Sequence, residues 1–370
     1  MSTPPTDVPR RADQQGGESH TPDRQANAAQ EAGHAGTYRP FSAVACADPT
    51  EGGIAGAGRE VLVVNKLAGR VQFFARSGWT LLAELEMESF PHEVVVDPGG
   101  RLAYVSIYGR GVFGKNSEQP GRNIAVIDLS TRQQVRSIDV SPWRGPHGMA
   151  FDEQGVLWVS CDVSGVVLAV DATAGEILSV VPSGSFGTHW LVACHARNKV
   201  YASNKTFDFL CVIDSRERKL IGRIPFPHGS EGLALSPLGD RLYVTAQRPQ
   251  MMAVIDTQTD AIIEEVSLAV FSPTPPERNP QKRVRVSPDG RWLLLTSFNT
   301  GEIVILPGND LRAQRLFSVE KGPMGITFAD SNHAFVMNHD QGTVWLINVQ
   351  SGQLVDRFVT AAGPETLAMV

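Results

Sequence analysis

Cysteine is scarce. Only Cys46, Cys161, Cys194 and Cys211 occur in 370 residues, and no two stand in C-x-x-C spacing. That excludes a disulfide framework and the common zinc-ribbon patterns, and leaves buried, reduced thiols of a cytoplasmic protein as the expectation. Long apolar runs are missing too. Nothing approaches the ~18 consecutive apolar residues of a membrane-spanning helix. The amino terminus has no apolar core of a secretory kind, and Arg10-Arg11 is followed by polar sequence that no twin-arginine signal would carry. Positive charge is not in excess. With 33 Lys and Arg against 39 Asp and Glu the net charge is −6, which gives no reason to expect nucleic acid or an anionic membrane as a partner. The local basic cluster Arg278, Lys282, Arg283 and Arg285 reads as a solvated loop edge.

Before Tyr38 there is no Phe, Trp or Tyr, and Val8 is the sole branched aliphatic residue. Such a segment cannot bury enough apolar surface to offset its ordering entropy. Residues 1–37 are therefore expected to be a disordered tail and 38–58 a lead-in, with the folded domain spanning 59–370.

What the chain does have is repetition. "PHEVVVDPGGRLAYVSIYG" is echoed by "PHGMAFDEQGVLWVSCD", "THWLVACHARNKVYASNK", "SEGLALSPLGDRLYVTAQ", "KRVRVSPDGRWLLLTSFN" and "PMGITFADSNHAFVMNHD". Each copy runs on into an apolar strand such as "IAVIDLS" or "LCVIDSRER", then a fourth such as "KLIGRIP". Units of four short strands at a period of roughly 42 residues indicate a β-propeller. The unit from Arg59 to Met87 lacks its opening strand, and Gly363 to Val370 is an opening strand with nothing after it. Joined, they make one blade. The expected fold is all-β, a seven-bladed β-propeller of four-stranded antiparallel blades, closed by the C-terminal strand completing the first blade.

Alignment of the copies puts His92, His147, His189, Glu231, Lys282, Met324 and Glu365 at one equivalent position, the start of each innermost strand. The ends of the second strands, Lys66, Tyr108, Asp162, Lys205, Gln247, Phe298 and His339, must share that face of the disc. Both insertions fall there as well, Gly109 to Asn123 and Ala269 to Gln281. Long loops around one channel mouth are where binding sites gather. Strict alternation offers a competing inward set, Glu93, Gly148, Trp190, Gly232, Arg283, Gly325 and Thr366. Its three glycines suit close packing between blades, so the histidine set is taken to face the axis.

Three imidazoles and a carboxylate converging on a point, His92, His147, His189 and Glu231, suit a divalent metal ion such as Zn²⁺, Mn²⁺ or Fe²⁺. Glu231, Glu365 and His339 are candidate acid–base groups, and Tyr108 and Lys282 candidate stabilisers of a developing oxyanion. Met324 reads as an apolar wall. His228 belongs to an entrance loop, and His195 and His333 lie on the opposite face. "GRGVFGK" (Gly109 to Lys115) matches G-x-G-x-x-G but sits between antiparallel strands, where that motif has no phosphate-cradling role.

Tyr104-Val105-Ser106, Tyr201-Ala202-Ser203-Asn204 and Tyr243-Val244-Thr245, with the "VID" third strands, resemble the bacterial YVTN-repeat propellers from Arg59 to Val370. Pro146-His147-Gly148 and Pro91-His92 look like openings in the streptogramin-cleaving lyase, a seven-bladed propeller using a metal ion, His and Glu at its channel. The resemblance implies a metal-dependent lyase, isomerase or lactone-type hydrolase acting on a small molecule in specialised intracellular metabolism. Two other readings stand beside it: a non-catalytic propeller binding a protein or small ligand, and a metal-free cyclase or condensing enzyme using Glu and His as acid and base.

Overall fold

The computed structural model describes residues 59–111, 117–227, 229–247, 250–268 and 282–370. The expected tail and lead-in, Cys46, His228, the insertion at 269–281 and the Lys282 side chain lie outside the described residues. Among the described residues twenty-eight strands, β1 to β28, form seven four-stranded antiparallel sheets. The first sheet has the order β28-β1-β2-β3, so Pro364–Met369 (β28) pairs with Glu60–Asn65 (β1) and closes the ring as the repeat pattern required. No helix among the described residues is long and apolar enough to cross a membrane.

The blades stack face to face, and burial follows from that. Val156–Cys161 (β9), a second strand, is buried at every position. Lys219–Pro225 (β15), an outermost strand, alternates exposed and covered residues along most of its length. Sheets covered on both faces need unbroken apolar runs, and rim strands do not. The apolar core divides into seven clusters, each spanning one blade–blade interface. One of them joins Val61 and Phe74 of the first blade to Phe335 and Phe358 of the last. There Trp79 stacks on Phe358 at 4.4 Å and donates its indole N–H to Asp356 at 2.6 Å. Cys161, Cys194 and Cys211 are free and buried.

The "VID" motif has a local cause. Asp128, Asp171, Asp214 and Asp256 end the third strands, and one carboxylate oxygen of each accepts two backbone N–H groups of the following turn. The turn finishes in a left-handed residue, Gly175 in one copy, but Arg132, Arg218 and Asp260 in three others.

The innermost strands are not regular. In Pro91–Val96 (β4), His92 and Glu93 together oppose Ser106 alone. The same two-against-one bulge puts His147-Gly148 opposite Ser160 in Pro146–Phe151 (β8), and His189-Trp190 opposite Ser203 in Thr188–Cys194 (β12). Glu231-Gly232 oppose Thr245 in Ser230–Leu235 (β16), and Met324-Gly325 oppose Met337 in Pro323–Phe328 (β24). In β28, Glu365 is the extra residue. Lys282–Val286 (β20) alone pairs without a shift.

A facing hydroxyl holds four of these bulges. The N–H groups of Glu93, Gly148, Trp190 and Gly232 donate to Ser106, Ser160, Ser203 and Thr245 at 2.9–3.0 Å. Ser160 Oγ also donates to the His189 carbonyl in the next blade at 2.5 Å, and Ser203 Oγ to that of Glu231 at 3.0 Å. The hydroxyl of the Tyr-Val-Ser-like motif therefore ties a bulge to its neighbour. Ser160→Ala, which strips a partner from a buried N–H and a buried C=O, is expected to lower stability by about 1–3 kcal/mol in urea denaturation. An unchanged midpoint would show that the clamp contributes nothing.

A bulge also breaks strict alternation, so two successive side chains can serve the same channel. At the bulges the choice between the two sets is thereby dissolved: His92 with Glu93, and His189 with Trp190, both serve the channel. The expected role of the glycines holds at Gly148, where an added Cβ would meet the His189 carbonyl at 2.8 Å.

Candidate active site at the channel mouth

His92, His147 and His189, brought side by side by β4, β8 and β12, form a file of buried rings. Centroids are 4.1 Å apart between His92 and His147 and 3.8 Å between His147 and His189. Tyr108 packs edge-on against the first two at 5.5 Å each and donates its hydroxyl to Asp162 Oδ2 at 3.0 Å.

A carboxylate closes each end of the file. His92 Nδ1 meets the Glu365 carboxylate, which also has Lys66 Nζ at 3.5 Å and His339 Nε2 at 3.7 Å. At the other end Glu231 faces His189 Nε2 at 3.2 Å and Lys205 Nζ at 3.0 Å, and accepts a bond from the Gln247 amide. Lys66, Tyr108, Asp162, Lys205, Gln247 and His339 are second-strand ends, so that ring shares the mouth as the topology demanded. Met324 is buried in the same ring.

Burial sets the protonation. It pushes His92 down to about 4, with Glu365 opposing and Lys66 reinforcing, and His189 down to about 3. His147 falls well below the usual imidazole range by burial, helped by its two histidine neighbours. All three are neutral at pH 7 and carry a free lone pair. Burial alone would raise Glu231, but Lys205 and His189 outweigh it and hold the group at about 2. Glu365 is likewise held well below the carboxylate range, His92 and Lys66 overriding burial. Glu93 goes the other way, raised by burial to about 7 against the pull of Arg283.

His147 is the anomaly. It is fully buried, and among the described residues neither ring nitrogen has a hydrogen-bond partner. Buried polar groups are almost always paired. His92, Glu93 and His147 each offer a ligand atom, and these lie within 4.8 Å of one another. Sequence reasoning grouped His92 and His147 with His189 and Glu231. The structure brings the first two together, turns His189 toward Glu231, and adds Glu93, which reaches the set through the bulge. The Lys282 side chain lies outside the described residues.

Arg283 and Arg285 are not a solvated loop edge. They sit on β20, a channel strand, because that strand begins directly after the insertion. Arg283 is buried and reaches across the channel from the sixth blade to Glu93 in the second, Nη1 to Oε1 2.7 Å. It also lies 4.3 Å from the Trp190 ring and, through Nη2, 3.8 Å from Glu365. The expected antiparallel setting of the G-x-G-x-x-G stretch holds where it is described: Gly109, Arg110 and Gly111 extend the hairpin of Leu102–Gly111 (β5) and Ser117–Asp128 (β6). Away from the mouth, His195 bonds the Phe151 carbonyl and His333 pairs with Asp330.

No family model matches the chain. It is 27% identical over 238 residues to Antigen Lp49 of Leptospira interrogans, a match covering 58% of this chain and 49% of that one, so it spans about half the length of that relative. Among solved structures it is similar to the periplasmic gluconolactonase PpgL of Pseudomonas aeruginosa, with a TM-score of 0.67, 20% identity, and 84% and 98% of the two chains covered. It is also similar to the hydrazine synthase of Kuenenia stuttgartiensis, with a TM-score of 0.64, 14% identity, and 82% and 93% covered. These likenesses establish the fold, a seven-bladed propeller that enzymes of different chemistry share.

Proposed function

We propose that the protein is an enzyme that opens or rearranges a small carbonyl compound of lactone type at this mouth, with a divalent metal ion held by His92, His147 and Glu93. His147 carries the reading. A neutral, buried imidazole whose two nitrogens find no partner among the described residues is costly to keep unless something takes a lone pair. Two neutral imidazoles and a carboxylate suit Zn²⁺, Mn²⁺ or Fe²⁺. When bound, the ion would supply Lewis acidity toward a carbonyl oxygen. The chain's own groups supply the rest. Glu231 and Glu365 are the ionised carboxylates placed to take a proton, and His339 stands next to Glu365 to pass it on. Tyr108 and Lys66 lie beside the imidazole file, where negative charge would develop. His189 orients Glu231, and the role assigned to Lys282 rests on its position in the repeat.

The gluconolactonase among the fold relatives makes an aldonolactone the first substrate to assay. We infer the cytoplasm as the compartment, in keeping with three unpaired thiols, and a small-molecule substrate rather than nucleic acid or membrane. Elemental analysis of freshly purified protein is expected to find about one equivalent of a divalent metal, and less than a tenth of that in His147→Ala with the same circular dichroism. Equal metal content in both would remove the metal from the account.

A second reading is metal-free acid–base catalysis. Its support is that the two carboxylates closing the histidine file each already have a lysine, Lys205 on Glu231 and Lys66 on Glu365. It predicts lactone-opening activity that survives a chelator and is lost in Glu231→Gln. A non-catalytic binding propeller predicts neither metal nor turnover.

A further inference from the structure

Beyond Glu93, toward the ends of the innermost strands, the channel widens into a cavity of ≈ 340 Å³ bordered by a smaller one of ≈ 190 Å³. The larger is walled by β4, β8, β12, β16 and β20, mainly with apolar side chains such as Val95, Phe151, Val192 and Leu235. Its size is at the lower end of small-molecule sites. Arg285 lines both cavities. Its guanidinium lies 4.6 Å from the Trp190 ring, and its Nη1 reaches only two carbonyls, Val284 at 3.0 Å and Leu233 at 3.5 Å. Among the described residues no carboxylate stands within ion-pairing distance of it. Arg283, two residues earlier on the same face of the strand, is matched by Glu93. Glu93 also lines both cavities, but its carboxylate is taken by Arg283, so Arg285 is left as one net positive charge against a wall that is mainly apolar in the larger cavity.

We propose that this cavity is a second ligand site, adjoining the mouth cluster at Glu93, that takes a small monocarboxylate with an apolar body, the carboxylate on Arg285 and the body against the apolar wall. A guanidinium fork matches a carboxylate in geometry as well as charge. A single unmatched cation balances one negative charge, which favours a monoanion over a dianionic phosphate. Burial lowers Arg285 to about 10, still charged at pH 7. The site requires no metal, so it stands or falls apart from the function proposed above.

The test is calorimetric titration of the intact, EDTA-treated protein with benzoate and hexanoate, and with benzamide and hexanamide as neutral counterparts. At least one acid is expected to bind at millimolar or tighter affinity, with its amide at least tenfold weaker. Arg285→Met should weaken that acid at least tenfold, while Arg285→Lys keeps part of the affinity. Should Arg285→Met fail to fold, Arg285→Gln, which keeps a polar side chain but not the charge, should weaken that acid at least tenfold instead. Absence of binding by both acids to the wild type, equal binding of acid and amide, or undiminished binding in the variants would overturn the proposal.

Discussion

Deletion of residues 363–370 is expected to leave a chain that is insoluble or melts roughly 10 °C or more below the full-length protein. The eight residues are the innermost strand of the first blade. They supply β28, which pairs along β1, and Leu367, part of the closure cluster with Val61 and Phe335. They also supply two ties to neighbouring blades: Thr366 Oγ1 donates to the His92 carbonyl at 3.0 Å, and the Leu367 carbonyl accepts from Thr327 at 2.7 Å. Without β28, β1 becomes an unpaired edge facing the channel, and the blades on either side lose covered surface. Thermal melting and size-exclusion chromatography measure the effect, and a synthetic peptide of residues 363–370 should restore part of it. A truncated chain melting within 2 °C of the parent would mean that ring closure does not hold this fold.

Lys205→Met should be the most costly single substitution at the mouth, lowering stability by about 3–5 kcal/mol. The ammonium is buried 3.0 Å from Glu231, and removing it leaves a carboxylate enclosed with only a neutral imidazole and an amide. Replacing both members, Lys205→Met with Glu231→Gln, removes the stranded charge and should recover more than half of the loss. Guanidinium denaturation of the four proteins in the cycle gives the coupling directly. A single variant within about 1 kcal/mol of wild type would show that water or another cation already serves Glu231.

Much of this was readable from the residues. The period of the repeats gave the blades, and the orphan strand at Gly363 to Val370 gave the closure. Topology alone placed Lys66, Lys205, Gln247 and His339 beside the histidine ring, and the contacts of Glu365 and Glu231 bear that out. What escaped was the bulge. Alternation in steps of two assigns His92 and Glu93 to opposite sides of a strand, and only an extra residue lets both serve the channel. A signal was present in Ser106, Ser160, Ser203 and Thr245, hydroxyls at one position of the second strand, buried where an aliphatic side chain would otherwise pack. Their partners are the N–H groups that a bulge leaves unpaired. Arg283 and Arg285 differ from expectation for another reason: beside a proline-rich insertion, charge looks like solvent-facing loop. A strand that starts immediately after the insertion, and that alone lacks the bulge, sends those charges into the channel.

The proposed chemistry requires the buried imidazoles to hold a cation. Crystals grown with Mn²⁺ or Zn²⁺ and measured at the metal's absorption edge give the most direct answer. A single strong anomalous peak lying among His92, Glu93 and His147, absent from His147→Ala crystals, is the predicted result. Metal-soaked crystals with no peak at those three residues, and with water hydrogen-bonded to His147 in its place, would contradict it.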